Sequence, residues 1–125
     1  MENPIRRVTP LTVLPDIAAT AEHYCALGFT RVETGSPGCV GLQAGTSYLL
    51  LASTAHMAGD FGADLAASLT GKTIPYIYVD SVATAKARLP ASAEVLAEAA
   101  LAGGSLEAMV RQDGQHLILA EKTRQ

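Results

Sequence analysis

The stretch DIAATA at residues 16–21 returns as DSVATA at residues 80–85, half a chain later in a sequence of 125 residues. Such a repeat constrains the fold before any element is assigned, because each copy must be one supersecondary unit. Aligning Asp16 with Asp80 also brings Thr9 onto Thr73, Ala19 onto Ala83, Thr20 onto Thr84 and Ala21 onto Ala85. Upstream, TPLTVLP faces TIPYIYV, two β-rich runs that each stop at the aspartate. An aspartate just before an apolar helical pattern is an N-cap signal, since its carboxylate accepts the orphan N–H groups of the first turn. Each copy therefore begins strand, cap, helix.

The first helix is expected over about residues 17–27, with Ile17, Ala21, Tyr24 and Leu27 in one apolar stripe and Gly28 closing it. The second is shorter, with the stripe Val82, Ala85 and Leu89, and it ends at Pro90. After the first helix, FTRVETGS, CVGLQAG and SYLLLAS read as strands separated by SPG and AGT. After the second, AEVLAEAAL, SLEAMVRQ and QHLILAE are separated by AGG and DG. Asp-Gly supplies the positive φ that a tight hairpin turn needs. LLLA at 49–52 matches LILA at 117–120. Each copy is thus βαβββ, at about residues 5–53 and 72–122. The Ala- and Gly-rich connector at 54–71 carries a helical piece near 60–69. One domain spanning residues 1–125 is expected. A four-stranded sheet with a helix on one face leaves its other face uncovered, and a second unit covers it or shares a cleft with it.

Composition removes several function classes. The net charge is −3 and the nine Lys and Arg are scattered, so the concentrated basic footprint of a nucleic-acid binder is missing. No apolar run approaches the roughly 20 residues that span a bilayer. MENPIRR is not followed by an apolar segment, so a cytoplasmic protein without a secretory signal is expected. Cys25 and Cys39 fit no metal spacing, and reduced thiols are the expectation. No G-x-S-x-G nucleophile elbow occurs, and GSPG and AGGS lack the strand–helix context of a phosphate loop.

The order VLPDIAATAEHYCALGF (13–29), YIYVDSVATAKARL (76–89) and VRQDGQHLILAE (110–121) resembles the vicinal-oxygen-chelate superfamily, the glyoxalase, bleomycin-resistance and dioxygenase group. The resemblance covers nearly the whole chain. It implies an α+β fold of tandem βαβββ modules forming a curved mixed sheet around a cleft. Enzymes of that group hold one divalent metal through four strand positions. The first is a His or Gln seven residues before the capping Asp, which here is Thr9, and Thr73 in the second module. The others are a Glu in the fourth strand, here Leu50, and its counterpart after the closing turn, here Ile118. Two threonines, a leucine and an isoleucine cannot supply imidazole or carboxylate ligands. A metal-free member is therefore expected, with no cofactor and no Lewis-acid chemistry. Glu121, three residues past Ile118, is expected to point to the opposite face.

By period two, the cleft floor would be Thr9, Leu11, Tyr48, Leu50, Thr73, Ile77, His116 and Ile118. Glu107, Met109 and Arg111 recur at every second residue of the penultimate strand, and Glu107 and Met109 join the candidate ligand-binding set. Apolar walls with a few orienting polar groups suit a small-molecule pocket, and equally a filled sheet core. His23 is expected to face solvent, and His56 to lie on the surface of the connector. The function expected is binding of a small, partly apolar organic molecule, such as a sequestered antibiotic or drug. The resemblance implies a homodimer. The alternative is a metal-independent isomerase, cyclase or lyase acting on a small metabolite, with Tyr48, His116 or Glu107 as acid–base groups. A third reading, a scaffold subunit with its cleft packed shut, binds nothing.

Overall fold

The computed structural model describes residues 4–100 and 105–121. They form eight strands and four helices in the order β1 (Ile5–Leu14), α1 (Ala18–Leu27), β2 (Thr30–Val32), β3 (Cys39–Ala44), β4 (Ser47–Ser53), α2 (Thr54–Phe61), α3 (Ala63–Leu69), β5 (Thr73–Val79), α4 (Val82–Ala87), β6 (Glu94–Ala100), β7 (Leu106–Gln112) and β8 (Gln115–Glu121). The α+β class and both βαβββ modules are as the repeat predicts. The described residues divide into two compact units: an N-terminal unit of residues 9–73, and a C-terminal unit of residues 74–100 and 105–121 together with residues 4–8. The connector belongs to the first of these.

In the N-terminal unit the strands lie in the order β2-β3-β4-β1. β1 runs parallel to β4, with Leu11 opposite Leu50 and Val13 opposite Ala52, while the hairpins β2–β3 and β3–β4 are antiparallel. Helix α1 covers one face through Ala21, Leu42 and Leu51, with Ile17, Tyr24, Cys25 and Phe29 around them. Burying Leu42 and Leu51 contributes roughly 1.5–3 kcal/mol each. The N-cap of α1 is Ile17 and not the expected Asp16; Asp16 sits one position earlier, where its Oδ1 accepts the Ala18 N–H at 2.9 Å. Gly28, at φ 125°, ends the helix and donates to the carbonyls of Tyr24 and Cys25.

Leu27 departs from the expected stripe and is 78% exposed. The chain turns at Gly28, so the last apolar place is filled from beyond the helix by Phe29. Its ring packs edge-on against Tyr24 at 5.3 Å. The connector also differs: it is two helices rather than one. Ser53 Oγ accepts the His56 N–H at 3.0 Å and starts α2 immediately after β4. Gly62, at φ 100°, separates α2 from α3.

The C-terminal unit repeats the plan, with strand order β5-β8-β7-β6. β5 is parallel to β8, pairing Tyr76 with Ile118 and Tyr78 with Ala120, and the remaining pairs are antiparallel. The β7–β8 turn places both Asp113 (φ 53°) and Gly114 (φ 75°) in the left-handed region, as an Asp-Gly hairpin requires. Helix α4 covers one face through Val79, Val82, Ala108, Val110 and Leu119, with Ala85 and Leu89 alongside. Its cap is Ser81, whose Oγ accepts the Thr84 N–H at 3.2 Å, and not the expected Asp80. Asp80 instead pairs with Arg6. Glu121 does face the helix side, where its Oε1 accepts the Val82 N–H at 2.7 Å.

Candidate functional site

The two caps decide which side chains share a face. Three residues, Pro15, Asp16 and Ile17, separate β1 from α1, whereas two, Asp80 and Ser81, separate β5 from α4. Matching Asp16 to Asp80 therefore slips the two strands by one residue, and a one-residue slip turns every side chain to the opposite face. The ladders give the true correspondence. Leu11 lies opposite Leu50 as Tyr76 lies opposite Ile118, so Leu11 matches Tyr76, and Thr9 matches Ile74.

In the N-terminal unit, Leu49 and Leu51 pack towards α1, so Tyr48, Leu50 and Ala52 present the opposite face. Thr9, Leu11 and Val13 share it and are buried. Thr9, Leu11, Tyr48 and Leu50 thus lie on one sheet face. Thr73 does not join them. Its Oγ1 lies 2.7 Å from Thr12 Oγ1, and Thr12 sits opposite Leu51 on the α1 side.

In the C-terminal unit Ile77 is likewise displaced, packing against the α4 core with Leu117 and Leu119. The face opposite α4 carries Tyr76 and Tyr78 from β5, His116, Ile118 and Ala120 from β8, and Glu107, Met109 and Arg111 from β7. Three cross-strand rows order it. Tyr76, Ile118 and Met109 form one, Tyr78, Ala120 and Glu107 the next, and His116 faces Arg111 in a third. Met109 and Ile118 are fully buried, and Glu107 is only 8% exposed.

A carboxylate withdrawn from water needs donors to replace it. The Tyr76 hydroxyl donates to Glu107 Oε2, joining the first row to the second. The Tyr76 and Tyr78 rings meet edge to face at 5.0 Å and 67°. The Arg7 guanidinium carbon lies 4.8 Å above the Tyr78 ring. Tyr76, Tyr78 and Arg7 were absent from the sequence-derived set. The pattern Y-I-Y held the signal, but the register taken from Asp80 selected the isoleucine between the tyrosines.

The metal that the resemblance implies does not fit these residues. With the register corrected, its four positions hold Thr9 and Leu50 in one unit and Ile74 and Ile118 in the other, none of them an imidazole or a carboxylate. Among the described residues no group of three His, Cys, Asp or Glu side chains gathers for a metal. His23 is exposed, as expected. His56 is less exposed than expected: its Cβ lies where a Cβ on Gly38 would approach to 2.6 Å, and its Nε2 is 3.5 Å from Asp60 Oδ2. Cys25 and Cys39 are half-buried thiols. Among the described residues no helix is long and apolar enough to cross a membrane.

No family model and no curated protein matches the sequence. Solved structures do match. An uncharacterised Bacillus halodurans protein superposes with a TM-score of 0.66 at 15% identity, over 98% of each chain. A variant of Streptomyces coelicolor methylmalonyl-CoA epimerase, solved with 2-nitronate-propionyl-CoA, gives 0.61 at 20% identity, over 95% of this chain and 96% of its own. A glyoxalase/bleomycin resistance protein/dioxygenase superfamily member from Vibrio splendidus gives 0.53 at 13% identity, over 93% and 98%. Paired βαβββ modules, each closed by a parallel pairing of its first and last strands, and these full-length superpositions give the chain the glyoxalase/bleomycin-resistance fold.

Proposed function

We propose that the protein binds a small, partly apolar organic molecule without a metal, on the sheet face of its C-terminal unit opposite α4. The observation that carries this reading is the buried Glu107 held by the Tyr76 hydroxyl beside Met109, Ile118 and the Tyr78 ring. Small-molecule sites combine apolar walls with a few fixed polar groups, and this face has that make-up. Sequestration of an antibiotic or drug needs no more than such a surface. The likeness to methylmalonyl-CoA epimerase adds acyl-CoA thioesters to the compounds worth testing.

A thermal-shift screen against antibiotics, aromatic metabolites, acyl-CoA thioesters and divalent metals, with EDTA as control, tests it. A ligand of the native state raises the melting temperature by mass action. A shift with an organic compound that persists in EDTA is the expected result. A shift with Ni²⁺, Zn²⁺ or Fe²⁺ alone would overturn the metal-free reading.

A second reading, a metal-independent enzyme, is favoured by the same pair of groups. Glu107 and Tyr76 are an acid–base couple in direct hydrogen bond, the arrangement a proton transfer uses. Deuterium incorporation from D₂O into a bound carbonyl compound, lost in Glu107→Gln, separates catalysis from sequestration.

We also propose a homodimer. β6 is the last strand in its unit's order, and Val95 on it and Leu106 on the neighbouring β7 are 41% and 42% exposed. An edge strand with exposed apolar side chains is a surface for pairing. Sedimentation at micromolar concentration is expected to give twice the 13.0 kDa chain mass.

A further inference from the structure

We draw no further inference here: the strongest candidate, the His56–Asp60 side-chain pair on α2 with Nε2 3.5 Å from Oδ2, brings together only two ligating groups among the described residues, and its Asp60 Oδ2 is shut off from solvent.

Discussion

Single residues set the sharpest constraints. Tyr76 and Glu107 hold each other on a buried surface, and removing one partner leaves the other's polar atom without that bond. Tyr76→Phe is expected to lower stability by about 1–3 kcal/mol in urea denaturation. The double variant Tyr76→Phe with Glu107→Leu should lose less than the two single changes added together, because the buried carboxylate disappears with its donor. Strict additivity would mean that the two groups do not interact. Gly38 is constrained by space: a Cβ there would meet His56 Cβ at 2.6 Å and Ser53 Oγ at 3.1 Å. Since the carbonyl of Gly38 also accepts the Ser53 N–H at 2.8 Å, the backbone has little room to retreat. Gly38→Ala is expected to cost about 1–3 kcal/mol, read from the denaturation midpoint.

Among the elements, the short helix α4 depends on its first turn. Ser81 accepts one N–H and Glu121 another, the second reaching in from the end of β8. Ser81→Ala should cost about 0.5–2 kcal/mol. Asp80→Ala should cost less, about 0–1 kcal/mol, because Asp80 serves only an exposed pair with Arg6 in which the side chains are 60% and 46% exposed. The reverse ranking in thermal denaturation would restore Asp80 as the cap. This contrast also explains what could be read from the sequence. Strand and helix existence followed from hydrophobic period and turn glycines, and Gly28, Asp113-Gly114 and the paired LLLA and LILA strands are where they were expected. Faces were less legible. Two adjacent residues, Asp80 and Ser81, are both good caps, and the sequence alone does not rank them. Choosing Asp80 placed Thr73 and Ile77 on the face opposite the helix, whereas the ladder puts Tyr76 and Tyr78 there. Leu27 was misassigned for a related reason: an apolar stripe does not reveal that the chain leaves the helix at Gly28 and returns Phe29 to finish the core.

For the molecule as a whole, the pattern common to the modules was readable and the chemistry that distinguishes them was not. Thr9, Leu11, Tyr48 and Leu50 share a face, as period two predicts, because they lie on β1 and β4, which run side by side in fixed register. The contact between Tyr76 and Glu107 joins residues from β5 and β7, strands separated by β8, and no local pattern announces it. Arg7 belongs to the same unit as most of β5 because residues 4–8 fold with the second half of the chain.

That one-residue difference between the two strand-to-helix joints has a meaning for how such chains diverge. A duplicated module can change its chemistry without substituting a single side chain on the strand. Lengthening or shortening the joint by one codon rotates the strand's whole set of side chains, so residues that filled a core become available to solutes and the former surface is sealed. In this chain the same aligned letters, Thr9 and Thr73, ended on opposite sides of their sheets. An insertion at a cap can thus present a new surface to selection in one event, with the old one kept intact in the sister copy.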